Sequence, residues 1–240
     1  MTGLATRRLR NRLRKAAGIE SEDFLARAVE SWEVAPACET DFPAAIMLAG
    51  HLERITGTIF GNHQETMQAL LGQAGRYAGP TRGFRFRDVD HVDGVLYSGS
   101  AEWHLRARKA RGLLLRRPQE SLSGALYEGW SGNRWFGNWL MEDCTAWPLA
   151  AVTGMAVTTA PRPGGHVPRY EELLSMTPRR IGDVHFDELI LFDDMANNHS
   201  RVARAAAMRE MLRAGRPDTQ FPGVWLMRGQ TGDVRVMVNE

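Results

Sequence analysis

Phe186-Asp187-Glu188-Leu189-Ile190-Leu191-Phe192-Asp193-Asp194 (residues 186–194) sets four consecutive large apolar residues between two pairs of acids. A short unbroken apolar run bounded by charge reads as a buried strand. Two similar stretches flank it, Met155 to Thr158 and Val224-Trp225-Leu226-Met227, so strand centres fall near 157, 190 and 225. Helical patterns alternate with them: Trp139 to Ala151, Tyr170 to Met176, and Ser200 to Ala214, the last closed by Gly215 and Pro217. Strands spaced by about one βα unit predict an α/β protein whose parallel sheet is joined by crossover helices.

Upstream the rhythm differs. Between about Phe84 and Tyr127 the pattern has period two: Phe84, Phe86 and Val89 alternate with charge, and Asp93-Gly94 is a hairpin turn before Val95-Leu96-Tyr97. That region is expected to be mostly antiparallel and half exposed. A helix is expected from Asn62, an N-cap with Glu65 three residues on, through Met67, Leu70, Leu71 and Ala74 to a stop at Gly79-Pro80. Another is expected over 21–31, with Ser21 as cap and Phe24, Leu25, Ala28 and Val29 as its apolar face.

Composition narrows the class. The chain has 240 residues, 43% hydrophobic and 24% charged, which suits a globular fold rather than a disordered one. No apolar run approaches the ~18 residues of a membrane helix. Cys38 and Cys144 form no CxxC pair, so a disulfide scaffold or zinc ribbon is unsupported and a reducing, cytoplasmic setting fits. Of the 30 basic residues, Arg7, Arg8, Arg10, Arg12, Arg14 and Lys15 crowd the first 15 positions without an acid. The remaining 24 basic residues face 28 acidic ones, so the body is slightly acidic, unlike a nucleic-acid-binding domain. The arm reads first as a frayed, solvated terminus. Its second reading is a weak amphipathic helix, with Leu4, Leu9 and Leu13 among cations, touching an anionic membrane through residues 1–15.

Local motifs are sparse. GxGxxG, GxxxxGK[ST] and HExxH do not occur. Gly129-Trp130-Ser131-Gly132 is one residue short of a nucleophile elbow and lacks its strand–turn–helix setting. Asp88-Val89-Asp90 matches a loose DxD pattern but reads as a solvated strand face, and no metal is expected. The densest chemistry is Trp135 to Cys144. On a helical wheel Phe136, Trp139, Leu140, Cys144 and Trp147 share one side with Asp143 among them, so that carboxyl must be paired, hydrogen-bonded or protonated. Asn138 and Glu142 form an i, i+4 polar pair. At the far end, a strand delivers Arg228 before Gly229, followed by Arg235 and the helix-cap pattern Asn239-Glu240, a suitable set for a diphosphate. The chain stops where that helix would begin.

Together, Phe136 to Cys144 (FGNWLMEDC), residues 186–194, the run from Asn198 through Arg204 to Arg209, and residues 224–240 (VWLMRG…VRVMVNE) resemble glycosyltransferase family 61. The resemblance spans roughly residues 35–240. It implies a GT-B-like architecture of two Rossmann-type lobes, of which this chain would carry the N-terminal lobe and only the start of the donor lobe. The expected organisation is a basic arm (1–20), an α/β acceptor-side lobe (21–215) with its β-rich part at about 84–127, a linker (216–223) and the first donor-lobe strands (224–240). The implied activity is inverting transfer of a sugar from a nucleotide-linked donor, usually UDP-linked, to a polysaccharide, glycan or glycolipid, without an obligatory metal or other cofactor. It would act in the cytoplasm or at the inner face of the membrane. Asp143 and Glu142 are then candidate catalytic acids, Asn138 and Trp139 acceptor-side residues, and Arg228, Arg235, Asn239 and Glu240 donor-binding residues. Asn138 stands where the family usually has histidine, and asparagine cannot take a proton near neutral pH. That departure leaves a catalytically inactive carbohydrate- or partner-binding module as the alternative.

Overall fold

The computed structural model describes residues 4–58, 61–109, 112, 114–161 and 164–214. Its first half runs α1 (Arg7–Ala16), β1 (Glu30–Ala35), β2 (Cys38–Phe42), α2 (His63–Leu70), β3 (Gln73–Ala78), β4 (Thr81–Val92), β5 (Val95–Ser98), β6 (Ala101–His104) and β7 (Ser121–Leu126). The second half runs α3 (Phe136–Asn138), a π-helical segment (Trp139–Asp143), α4 (Cys144–Thr153), β8 (Ala156–Thr158), α5 (Val167–Leu173), β9 (Arg179–Arg180), β10 (Val184–Asp193) and α6 (His199–Arg213).

The main sheet has the order β6-β5-β4-β10-β7-β8-β9, with β1 also paired to β4. β10 is its seam. It runs antiparallel to β4, with Leu189 opposite Phe86, and parallel to β7, with Ile190 beside Ala125. Leu189 and Leu191 belong to the core layer of Phe86, Leu122, Leu126 and Val157. Ile190 and Phe192 face the other way, into the layer of Ala125, Tyr127, Ala150 and Leu174, which α4, α5 and α6 cover. Both faces are thus apolar, which accounts for the unbroken Leu-Ile-Leu-Phe run.

The molecule is therefore a mixed α/β fold whose sheet is parallel on one side of β10 and antiparallel on the other. In the region expected to be mostly antiparallel, β4, β5 and β6 are antiparallel neighbours, while the last strand, β7, pairs parallel with both β10 and β8. A period-two pattern marks a strand but carries no information on the direction of its neighbours. The Asp93-Gly94 hairpin is present, with φ of 52° and 75°, the left-handed pair that a two-residue turn requires. Asn62 caps α2 by accepting the Gln64 amide (2.8 Å), but the helix ends at Leu70 because residues 73–78 pair with β2 in a separate two-stranded sheet.

Two further expectations are overturned. Residues 21–31 are not a helix: a 3₁₀ turn over Leu25–Arg27 leads into β1, whose ladder to β4 supplies partners that a short isolated helix would lack. Phe24 still enters the core, its ring 5.0 Å from that of Phe86. The N-terminal arm is not frayed either. Leu4 packs with Val92, Val95, Tyr97 and Leu115. Arg8 donates to Tyr97 Oη (3.2 Å), the Gly112 carbonyl (3.0 Å) and Asp93 (3.3 Å), so α1 is docked on the β4–β5 hairpin. Among the described residues, no helix is long and apolar enough to cross a membrane.

Candidate functional site

The parallel half of the sheet ends in a cleft. β7 delivers Tyr127 and Glu128 to it, β8 delivers Thr158 to Ala160, and the α3–α4 helix forms a wall, leaving about 250 Å³ of open volume. The carboxyl ends of parallel strands are where side chains and loops converge without blocking one another, so they are the usual ligand position in α/β sheets. A second cavity of about 120 Å³ shares Tyr127, Glu128 and Asp143 with the first and reaches the end of β10 at Phe192 to Met195.

The helical wall is locally unusual. Pro148 lies inside α4 and has no N–H to offer the preceding turn, where the helix widens to π geometry. Side chains meet the carbonyls there: Thr145 Oγ1 donates to the Met141 and Glu142 carbonyls (2.9 Å each). From α6, Arg201 donates to the Met141 carbonyl (3.0 Å) and Arg204 to that of Thr145 (2.9 Å). Arg204 also clasps both oxygens of Asp194 (2.5 and 2.6 Å), and Thr81 Oγ1 adds a third bond to that carboxylate (2.7 Å). Asn198 caps α6 through the Arg201 amide (3.0 Å) and donates to Thr81 Oγ1 (3.0 Å). These bonds tie the end of β10 to the helix that carries Asp143.

Asp143 sits in the π segment and is 3% exposed. Its Oδ1 accepts the Gly129 amide (3.0 Å), which among the described residues is the carboxyl's hydrogen bond. Burial pushes its pKa up to about 8, reinforced by the negative charges of Glu128 and Glu142 and opposed by the Gly129 N–H. The carboxyl is protonated at neutral pH, one of the three fates that its place in an aromatic stripe predicts. Gly132 lies against it, and a Cβ at that position would strike the carboxylate. The Gly129–Gly132 turn, unremarkable as a motif, is therefore the seat of Asp143.

Glu128 is held differently. It is buried, and it accepts the Thr158 hydroxyl (2.6 Å), the Thr159 amide (2.8 Å), the Ala160 amide (3.1 Å) and the Thr159 hydroxyl. Arg106 braces the same loop by donating to Thr159 Oγ1 (2.8 Å). The cleft mouth is aromatic. Phe136 stacks on Trp139 (centroids 5.7 Å apart, planes at 28°) and meets Tyr170 edge-on at 5.3 Å. Trp135 and Phe136 are 46% and 42% exposed there. Arg180, ion-paired with Glu171 at 2.6 Å, closes the far wall.

Of the residues singled out by sequence, Asp143 and Trp139 line the first cavity, and Asp143 and Glu142 line the second. Asn138 donates to Glu142 (2.6 Å), the expected i, i+4 pair, and lines neither cavity. Arg228, Arg235, Asn239 and Glu240 lie outside the described residues, as do the 216–223 linker and the strands expected after it. Sequence reasoning missed Glu128, Thr158 and Thr159. A Thr-Thr pair at the end of one strand, and an acid two residues past the end of another, were the available signals. The DxD aspartates are not a uniform solvated face: Asp88 is exposed, but Asp90 is buried and accepts His185 Nδ1 (2.8 Å) at the opposite end of β10 from the cleft. Among the described residues, no group of three or more His, Cys, Asp or Glu stands ready to hold a metal ion. No protein-family model, curated protein or solved structure matched the chain.

Proposed function

We propose that the cleft binds a glycan or glycolipid acceptor and that the chain is the acceptor-side part of an inverting, family-61-like glycosyltransferase of GT-B type. The observation that carries this reading is Asp143, a nearly buried carboxyl with a raised pKa, set in a cleft whose mouth is lined by stacked aromatic rings. Aromatic faces offer apolar area to the C–H face of a sugar ring, while carboxyls accept its hydroxyl protons. A base whose pKa lies near working pH is both available and strong enough to accept a proton in the transition state. In the proposed reaction Asp143 takes the acceptor hydroxyl proton as that oxygen attacks the anomeric carbon. The bond from that carbon to the nucleoside diphosphate breaks, and the diphosphate leaves with its electron pair. Glu142 is its neighbouring acid, and Asn138 and Trp139 position the acceptor side. Arg228 and Arg235, with Asn239 and Glu240, are proposed for a diphosphate, probed as UDP. The site of action is proposed as the cytoplasm or the inner membrane face.

The test is a transfer assay with UDP-sugar donors and glycan acceptors, paired with acceptor titration followed by tryptophan fluorescence. Asp143→Asn should lower kcat by about a hundredfold or more while leaving acceptor affinity nearly unchanged. In the wild type, kcat/KM should rise with pH up to about 8 as Asp143 loses its proton. Full activity in Asp143→Asn would remove it as the base. The Asn138–Glu142 bond favours the second reading, an inactive glycan-binding module, because it engages the one acid beside Asp143 on the helix. Acceptor binding without transfer from any donor would select that module.

A further inference from the structure

Two stretches of the chain are rich in cations and free of acids. Residues 1–18 carry six Lys or Arg, and residues 104–117 (HLRARKARGLLLRR) carry six more. Together they hold 12 of the 30 basic residues, which leaves 18 basic residues against 28 acidic ones elsewhere. The fold joins them. The Leu115 amide donates to the Ala5 carbonyl (3.1 Å), and Arg8 donates to the Gly112 carbonyl (3.0 Å). The Lys109 amide donates to Asp93 (3.1 Å), the carboxylate that is paired with Arg8. Leu115 is buried with Leu4, Val92, Val95 and Tyr97, while its neighbours Leu114 and Arg116 are exposed. On α1, Arg7 and Arg8 are buried, whereas Leu9, Arg12, Leu13 and Ala16 are exposed at the i, i+3, i+4, i+7 spacing of one helix face. Leu114 is 69% exposed. Around these leucines stand Arg12, Lys15, Lys109, Arg116 and Arg117, all exposed and none in an ion pair among the described residues.

We infer that the surface formed by α1, Lys109 and residues 114–117 docks on an anionic lipid bilayer. The cations meet lipid phosphates, and Leu9, Leu13 and Leu114 enter the boundary between headgroups and acyl chains. This deepens the proposed action at the inner membrane face and rests on it. Interfacial binding grows with the apolar area buried and with the number of cations near the anionic surface, so the second element extends both. Cations alone would suit any polyanion, but a nucleic-acid backbone offers no apolar phase to three exposed leucines. The acidic remainder of the chain is repelled by the same surface, which fixes the side that docks.

The experiment sediments the full chain with phosphatidylglycerol-containing vesicles and with pure phosphatidylcholine vesicles, at low and high salt. The wild type should bind the anionic vesicles only, and less as salt rises. Arg116→Gln/Arg117→Gln should weaken that binding about tenfold or more, and Leu114→Ser about threefold or more. These positions are exposed, and unchanged circular dichroism would confirm that the fold is kept. Wild-type binding by both variants overturns the inference and leaves α1 as the whole membrane contact. Equal binding to phosphatidylcholine overturns it too, because charge then does not select the surface. Binding to a DNA duplex in place of vesicles, lost in the arginine variant and indifferent to Leu114→Ser, assigns the surface to nucleic acid and overturns it. Binding to neither vesicles nor DNA overturns the inference together with the membrane-face reading.

Discussion

At the scale of single residues, Asp143 and Gly132 govern the cleft. Asp143 has a folded pKa of about 8 against an ordinary value of 3.8, so the folded chain holds a proton that the unfolded chain has released across that window. Its contribution to stability is therefore intact below about pH 4 and declines as pH rises toward 8, by up to about 1.4 kcal/mol per pH unit. Asp143→Asn, close in shape and uncharged, should flatten that dependence and exceed the wild type in stability at pH 8. Urea unfolding at several pH values checks this, and parallel pH profiles for the two proteins would show that Asp143 is not the source. Gly132→Ala drives a Cβ into the same carboxylate and should cost about 1–3 kcal/mol, read from the urea midpoint.

At the scale of elements, the decisive contact is between α6 and the Pro-containing helix. The helical pattern over Ser200 to Ala214 predicts the helix, and Gly215 and Pro217 mark its end. Neither indicates that Arg204 reaches 10 residues back to Asp194 while bonding the Thr145 carbonyl. Both partners are largely buried, with side-chain exposures of 12% and 7%. Arg204→Ala would leave the Asp194 carboxylate buried without its cation, a loss of about 3–5 kcal/mol. Thermal or urea unfolding measures it. The double replacement Arg204→Met with Asp194→Leu should recover much of the loss, since removing both charges also removes the desolvation penalty.

At the scale of the whole molecule, the N-terminal arm joins the fold through Leu4 and Arg8, while Leu9 and Leu13 remain 39% and 61% exposed on α1. With Arg12 and Lys15 on the same helix, these leucines form a small apolar strip among cations, the feature that supports the proposed contact with an anionic membrane. Co-sedimentation with phosphatidylglycerol-containing vesicles should be salt-dependent and should fall several-fold in Leu9→Glu/Leu13→Glu, with secondary structure unchanged by circular dichroism. Vesicle binding that ignores both changes would dismiss the arm as a membrane contact.

Sequence alone determined the elements whose cause is local. The Asp93-Gly94 turn, the Asn62 cap, the aromatic helix with its embedded acid, and the strand at Leu189 to Phe192 all follow from spacing, backbone freedom and polarity within a few residues. It also singled out Asp143, because a carboxyl among tryptophans is anomalous wherever the chain goes. Tertiary structure decided what depends on neighbours distant in sequence: that β7 runs parallel to β10, that residues 21–31 form a short turn and the start of an edge strand rather than a helix, and that α1 docks through an arginine. It alone brought Glu128, the Thr158-Thr159 pair and the Gly129–Gly132 turn around Asp143. Strand direction, burial and pKa are set by contacts across the sheet, and residues far apart in the chain carry no local trace of them.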